Sequence, residues 1–112
     1  MELFHFEDVE AKPAEEGASK LRVRWLITKE EGAENFVMRL FEMEPDGYSP
    51  FHSHPWEHEV FVLEGVGLVT GQGQEKEFKK GDVIFIPPNE KHQFRNNGEK
   101  PVKFLCLVPF HK

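Results

Sequence analysis

Three of the six histidines of this 112-residue chain lie in one stretch: Phe51-His52-Ser53-His54-Pro55-Trp56-Glu57-His58-Glu59-Val60. Alternate residues of a β-strand point to the same face, so His52 and His54 are expected to project together. His58 has the same parity, although Pro55 and Trp56 interrupt the strand. Three neutral imidazoles on one side suit a divalent transition metal. The stretch therefore predicts a metal site built on β-structure.

A fourth histidine extends this prediction. His92 follows a Pro-rich turn, Pro87-Pro88-Asn89-Glu90-Lys91, and a neighbouring strand would bring it to the same place. His5 and His111 lie near the termini and have no other histidine nearby in sequence. A single histidine in a strand is more often a plain core or surface residue, so the metal prediction depends on the combined spacing.

The rest of the chain indicates an all-β fold. Short segments rich in Val, Ile, Phe and Leu alternate with Gly, Pro and Asn every eight to twelve residues, which is typical of a sandwich or barrel. Residues 10–20 are polar and are expected to form a loop, and Gln72-Gly73 is expected to close a hairpin. The predicted strands are Leu3–Val9, Leu21–Thr28, Asn35–Met43, Glu59–Leu63, Leu68–Gly71, Glu75–Lys79, Val83–Pro87, His92–Arg95 and Val102–Val108.

These residues resemble the two motifs of the cupin family. The first motif is matched by Gly47, His52-Ser53-His54, His58 and Gly65, with a gap one residue short after Gly47. The second is matched by Gly81-x₅-Pro87-Pro88-Asn89-x₂-His92-x₃-Asn96, with Asn89 in place of a glycine. Asn tolerates the left-handed backbone that such a turn requires.

The resemblance implies a double-stranded β-helix, also called a jelly-roll barrel. It implies one cupin domain over residues 1–112, with the barrel core at about 36–109 and N-terminal strands and a loop at 1–35. The first cupin motif has a glutamate three or four residues after His-x-His. With a gap of three residues this position falls on His58, and with a gap of four it falls on Glu59. Spacing and parity favour His58, so the chain resembles the small single-domain cupins with four histidines around manganese. The implied metal ligands are His52, His54, His58 and His92, and Fe, Cu, Ni or Zn are alternatives to Mn.

Other residues are candidates for the wall of a pocket. In the last strand, Lys103 marks the outer face, which places Phe104, Cys106 and Val108 inside, and Phe94 has the parity of His92. These side chains would exclude water around a metal, or simply fill the core.

Four further residues have two interpretations each. Arg39 either forms a surface ion pair, which we favour, or lies in the pocket and binds an anionic substrate. Tyr48 and Trp56 flank the first motif, as lid or dimer residues. Glu57 either hydrogen-bonds a ligand imidazole or lies in solvent.

Composition excludes several classes of function. The formal net charge is −6, from 14 Lys and Arg against 20 Asp and Glu, which argues against a nucleic-acid surface. No apolar run is long enough for a membrane span, no secretory leader is evident, and we expect a cytoplasmic protein. The single cysteine, Cys106, excludes an internal disulfide. Apolar residues at 3–6 and at Val23, Trp25 and Ile27 are expected on the outer face, which predicts a homodimer.

The function expected from these features is that of a metal-dependent oxidoreductase of dioxygenase type, acting on a small anionic or enolisable substrate. A metal-dependent isomerase or lyase is an alternative, but it needs a base, and only Glu57, Glu59 or a bound hydroxide remain once the histidines are ligands. A non-catalytic small-molecule binding module is a further alternative, because the fold alone decides no function.

Overall fold

The computed structural model describes residues 1–110, and over that range the chain is almost entirely β-structure. Two short 3₁₀ helices, Phe6–Asp8 and Lys29–Glu31, are the exceptions. The strands are β1 (Lys12–Pro13), β2 (Ser19–Ile27), β3 (Phe36–Tyr48), β4 (His58–Glu64), β5 (Val66–Gly71), β6 (Gln74–Lys79), β7 (Val83–Ile86), β8 (His92–Arg95) and β9 (Val102–Pro109). The all-β prediction is confirmed.

The strands form one antiparallel sheet that curls on itself. Its order is β6-β5-β8-β3-β9-β4-β7, and β2 pairs with β3 and with β1. The long strand β3 is the hub, because β2, β8 and β9 all pair with it. The predicted turn at Gln72-Gly73 closes the β5–β6 hairpin, with Gly71 opposite Gln74 and both turn residues at positive φ.

The concave face of the sheet carries the core. Met43, Val62 and Val102 are completely buried there. Along β9, buried and half-buried residues alternate, and Phe104, Cys106 and Val108 all lie on the buried side. Along β4 the same alternation buries His58 and Val60 and exposes Glu59 and Phe61.

The predicted N-terminal strand Leu3–Val9 is wrong. The His5 imidazole accepts a hydrogen bond from the Glu7 N–H, and the Asp8 carboxylate accepts one from the His5 N–H, each at 3.2 Å. These local bonds cap a 3₁₀ turn and satisfy backbone groups that a strand would pair with a neighbour. The capping residues outweigh the apolar character of Leu3, Phe4 and Phe6.

Two other boundaries differ from the prediction. The polar segment 10–20 is not wholly a loop, because Lys12 and Pro13 pair with Val23 and Arg22. Strand β3 continues five residues beyond Met43 to Tyr48, past Gly47.

Val23 is buried, not on the outer face, and it shares that side of β2 with Leu21.

No helix within residues 1–110 is both long and apolar enough to cross a membrane.

Candidate metal site

The four candidate ligands lie together at one end of the concave face. His58 begins β4, His92 begins β8, and their exposed fractions are 6% and 2%. His52 and His54 lie in the loop before β4 and are half-buried. Burial alternates residue by residue from His52 to Glu59 although most of this loop is not a strand, so the predicted parity holds.

Backbone hydrogen bonds bring the two motifs together. His52 and His92 form an isolated antiparallel bridge, with N–H···O distances of 3.2 and 2.9 Å. The Asn89 N–H donates to the His54 carbonyl oxygen at 2.6 Å, from a backbone with φ of 67°. That positive φ is the left-handed conformation expected of the residue that replaces the motif glycine. The turn before β8 therefore positions the loop that carries His54.

The imidazole rings form a compact cluster. Ring centroids of His58 and His92 are 4.9 Å apart, and those of His52 and His54 are 4.3 Å apart. Across the two pairs, the His52–His92, His54–His58 and His54–His92 centroids are 5.1, 5.4 and 6.4 Å apart. The deep pair, His58 and His92, thus adjoins the mouth pair, His52 and His54.

Hydrogen bonding leaves the deep pair with free nitrogens. The His92 Nδ1 lies 2.9 Å from the Glu90 carbonyl oxygen. It must donate its proton to that oxygen, which leaves Nε2 as a lone-pair donor toward a metal. The His58 Nδ1 is buried and has no hydrogen-bond partner. A buried imidazole nitrogen without a partner is costly, and a metal ion would supply one.

Burial also favours the neutral form of His52, His54 and His58. It lowers the pKa of His58 to about 3, and the electrostatic effects of His92 and Arg39 lower that pKa further. Burial lowers the pKa of His52 and of His54 as well, while Glu15 opposes the shift in both. Neutral imidazole is the form that binds metal, so the donor set fits a divalent transition ion.

Glu15 also belongs to the site, and the sequence offered no sign of it. One ligand atom each of Glu15, His52 and His54 lie within 4.8 Å of one another. The Glu15 Oε1 is 3.7 Å from the His52 Nδ1, and the Glu15 side chain is 55% exposed. His58 and His92 are not part of this tight group. Nothing in the polar segment 10–20 distinguishes Glu15 from Glu16 before the chain is folded.

The preferred surface ion pair of Arg39 is wrong. Among residues 1–110 the ion pairs do not include Arg39. Its Nη2 donates to the Cys106 Sγ at 3.2 Å, and its Nε is buried without a partner. The guanidinium lies near the rings of Trp25 and Phe41, at 5.5 and 5.0 Å from their centroids. Arg39 is on β3, between Trp25 and Cys106 on the flanking strands, so its inner-face position directs it toward the histidines.

A small cavity connects these groups. It has a volume of about 40 Å³, room for about three waters. Three aromatic rings line one side as a stack, with centroid distances of 4.9 Å for Phe94–Phe104 and 5.2 Å for Phe41–Phe104. Cys106 is also in the wall, and burial raises the pKa of its thiol, although Arg39 offsets part of that shift. The lining residues are Glu15, Leu21, Arg39, Phe41, Ser49, His52, His54, His58, His92, Phe94, Phe104 and Cys106.

Other sequence candidates lie outside the cavity. Glu57 and Glu59 are exposed, and Glu59 lies on the opposite face of β4 from His58, so the alignment frame that makes Glu59 a ligand disagrees with the structure. Tyr48 is 40% exposed at the end of β3. The Trp56 ring stacks on His54, with centroids 4.4 Å apart and planes 6° apart. His5 lies in the N-terminal turn and does not line the cavity, and His111 lies outside the described residues.

Asn96, the last residue of the second motif, has a structural role. Its side-chain amide donates to the carbonyl oxygens of Met43 and Lys100 at 3.0 and 2.8 Å, and its Oδ1 accepts from the Gly98 N–H at 2.9 Å. The side chain is 2% exposed. It therefore fixes the turn after β8 against β3 and does not reach the cavity.

Comparison with known proteins gives a consistent result. Residues 39–108 match the Cupin_2 family model, described as a cupin domain. The structure of the polyketide cyclase RemF from Streptomyces resistomycificus is similar, with a TM-score of 0.92 and 39% identity, over 97% of this chain and 79% of that chain. An oxalate-binding protein from Thermotoga maritima is 29% identical over 96 residues, 82% of this chain and 78% of that protein.

A shorter match has higher identity. The uncharacterized protein MJ1618 from Methanocaldococcus jannaschii is 45% identical over 56 residues, which are 49% of this chain and 45% of that protein. The matched region thus spans less than half of that relative.

Proposed function

This chain belongs to the cupin family, and we propose that it is a metal-dependent enzyme acting on a small anionic, enolisable organic substrate. The observation that carries the proposal is that four histidines and an arginine without a carboxylate partner line the same cavity. A structural zinc site would not need that unpaired cation beside it.

The residues that would hold the metal are His52, His54, His58 and His92. Imidazole ligands serve Zn, Cu, Fe and Ni alike, and manganese is favoured by the resemblance alone. When bound, such an ion supplies Lewis-acid polarisation of a substrate oxygen. The deep pair would fix its position, because His58 and His92 are held at the starts of two strands.

The charge of the site selects an anion. Four neutral imidazole ligands would not reduce the 2+ charge of a bound divalent ion. The Arg39 guanidinium adds a further positive charge beside it. The Arg39 Nε is buried without a partner and is free to bind a substrate oxygen. A cavity of about 40 Å³ admits only the reacting end of a substrate. The remainder would lie at the mouth, beside Trp56, whose ring stacks on His54.

Similar proteins support this class of substrate. One is a polyketide cyclase and another is an oxalate-binding protein. Polyketides carry acidic C–H groups between carbonyls, and oxalate is a small dianion that can chelate a metal. Enolisable and anionic oxygen compounds are therefore the first compounds to screen.

A dioxygen-using oxidoreductase is the second candidate. The stacked rings of Phe41, Phe94 and Phe104 provide an apolar wall beside the histidines, and the cavity has room for a diatomic molecule. Oxygen consumption during turnover of a β-diketone or catechol would support this reading. Turnover without oxygen consumption would reject it.

The proposal is tested by metal content and by anion binding. We expect untagged protein prepared without chelators to hold about one equivalent of Mn, Fe, Cu, Ni or Zn, which His58→Ala lowers sharply. In the metal-loaded protein, Arg39→Met should weaken oxalate binding at least about tenfold in calorimetry, because it removes a charge-assisted hydrogen bond. The matched control is Arg22→Met, which removes the same charge from an exposed position on the neighbouring strand. A protein that binds no metal would refute the proposal, and oxalate affinity equal in both variants would refute the role of Arg39.

We also propose a homodimer formed through the outer face of β4 and β7. Phe61, Val83 and Phe85 are 45%, 75% and 55% exposed there, and register places Phe61 opposite Val83. Large contiguous apolar patches on a protein surface mark interaction sites. Sedimentation velocity should show a dimer for the native chain and a monomer for the double variant Val83→Lys, Phe85→Lys. A native monomer would reject this assembly.

A further inference from the structure

We infer that Glu15 is the Brønsted base of the site and accepts a proton from the carbon next to a substrate carbonyl. This inference deepens the proposed function, on which it rests, and makes the chemistry redox-neutral. It also supplies the base that the isomerase or lyase hypothesis requires.

The local fold holds Glu15 over the mouth of the cavity. Residues 14–18 form the turn between β1 and β2, closed by hydrogen bonds from the Ala14 N–H to the Leu21 carbonyl oxygen at 3.0 Å and from the Ala18 N–H to the Glu15 carbonyl oxygen at 3.2 Å. Gly17, at φ +93°, packs against Pro50 so closely that a Cβ would lie 3.2 Å from the proline Cβ. Pro50 lies two residues before His52. The turn is therefore seated directly on the ligand loop.

The composition of the cavity leaves Glu15 as the available base. Once metal is bound, the four imidazoles are ligands and cannot take a second proton. Arg39 is a cation, and the Ser49 Oγ already accepts the Phe94 N–H at 2.8 Å. The Cys106 Sγ accepts from Arg39. Among the described residues lining the cavity, Glu15 contributes the carboxylate.

The distance to His52 excludes a direct hydrogen bond between Glu15 and a ligand imidazole. The Glu15 Oε1 is 3.7 Å from the His52 Nδ1, beyond hydrogen-bond range. Because Glu15 lies close enough to His52 and His54 to share a metal with them, the test measures metal affinity beside activity. The carboxylate is half-exposed, so it can exchange its proton with solvent between turnovers. Arg39 reaches the same cavity from β3 and can bind the carboxylate of a substrate there.

The proton-transfer step is balanced without an oxidant or a second reactant. The C–H bond next to the carbonyl breaks, and its proton moves to the Glu15 carboxylate. The electron pair of that bond forms the C=C bond of an enolate, whose negative charge moves to the carbonyl oxygen. Return of the proton to carbon regenerates the carboxylate, and return to a different carbon isomerises the substrate.

Deuterium exchange tests this assignment directly. The Mn²⁺-loaded protein is incubated in D₂O with pyruvate or 2-oxobutyrate, and loss of the C3 protons is followed by NMR. We expect Glu15→Gln to slow protein-catalysed exchange at least about 100-fold, the lower end for a general base. Glu16→Gln, which removes the same charge one residue away, should retain the native rate. Glu15→Asp should retain part of it.

Metal affinity, from titration of free Mn²⁺ by EPR, is the readout that does not depend on turnover. The Mn²⁺ affinities of Glu15→Gln and Glu16→Gln should agree within about threefold. A deficit of tenfold or more in Glu15→Gln, the size expected for a ligand or its hydrogen-bond partner, would overturn the base role. The base role would also be overturned if Glu15→Gln exchanged the C3 protons at the native rate. It would be overturned as well if native protein that holds its metal exchanged the protons of neither compound. Protein that binds no metal would instead refute the proposed function.

Discussion

The deep pair and the mouth pair of histidines are the same residue type in one cluster, but the fold holds them differently. His58 and His92 begin strands and are almost completely buried. His52 and His54 lie in a loop and are half-buried, with Glu15 beside His52 and Trp56 stacked on His54. The comparison leads us to propose a division of roles: the deep pair would hold a metal from the fixed ends of two strands, and the mouth pair would lie where a substrate enters.

The largest expected difference between the pairs is in metal affinity. Replacing His58 or His92 with Ala should weaken metal binding by more than about 100-fold, because loss of a ligand should exceed the 10- to 100-fold cost of losing a hydrogen-bond partner of a ligand. His52→Ala or His54→Ala should cost less, since solvent can occupy the vacated position at the mouth. Competition with a chromophoric chelator measures each affinity.

The matched control for this series is His5→Ala, which removes an exposed imidazole in the N-terminal turn. It should leave the affinity unchanged. Mouth variants that lose more affinity than deep variants would reverse the proposed division of roles.

The second difference concerns acid stability of the metal-free protein. The pKa of His58 is about 3 when folded and 6.5 is its ordinary value, so between these pH values the unfolded chain takes up a proton that the folded chain does not. Stability therefore falls as pH falls from 6.5 toward 3, by at most about 1.4 kcal/mol per pH unit for this group. The native protein should lose more folding stability than His58→Gln between pH 6.5 and 4, and the difference should be about 2 kcal/mol.

Urea unfolding at several pH values measures this effect. The quantity compared is the slope of unfolding free energy against pH in the native protein and in the variant, so a uniform loss of stability in His58→Gln does not affect the result. If His58→Gln retains the full native slope, the acid sensitivity arises from other groups and the deep pair is not its source.

The smallest expected effect is on the free energy of unfolding, through the turn at residues 14–18 that carries Glu15. Gly17→Ala should lower the free energy of unfolding by more than about 1 kcal/mol, because it combines a positive φ with contact against Pro50. Gly32→Ala has nearly the same φ, +94°, but has no atom within 4 Å of the added methyl group. The difference in chemical denaturation between the two variants measures the contact itself.

Gly17→Ala should also displace Glu15 and leave the metal affinity of the deep pair nearly intact. Equal stability loss in Gly17→Ala and Gly32→Ala would mean that the 14–18 turn is not seated on the ligand loop. The mouth would then have to be organised in another way.

Much of this molecule is predictable from local patterns. Spacing of apolar segments and turns predicts the strands, and parity predicts the inward side chains of β9, where Lys103 contrasts with Phe104 and Cys106. The motif spacing predicts that His52, His54, His58 and His92 belong together, because each motif is a short segment whose geometry follows from a strand and a tight turn. The left-handed backbone at Asn89 is also predictable from the motif.

The errors have two physical origins. The sequence alone places Arg39 in a surface ion pair and Val23 on the outer face, and predicts a strand at Leu3–Val9. Arg39 and Val23 depend on which side of β2 and β3 the sheet curls around, a choice set by the packing of all strands. In the N-terminal segment, capping by His5 and Asp8 outweighs apolar composition.

The all-β fold, the family motifs and the grouping of four histidines follow from short segments with fixed periodicity, and the sequence is sufficient to predict them. The position of Arg39 beside the histidines without a carboxylate partner, and that of Glu15 at the mouth, depend on how the sheet folds. Glu15 and His52 are 37 positions apart in the chain, and only the packing of the β1–β2 turn on Pro50 brings them together. Contacts of this range arise when the sheet curls, and no local pattern encodes them.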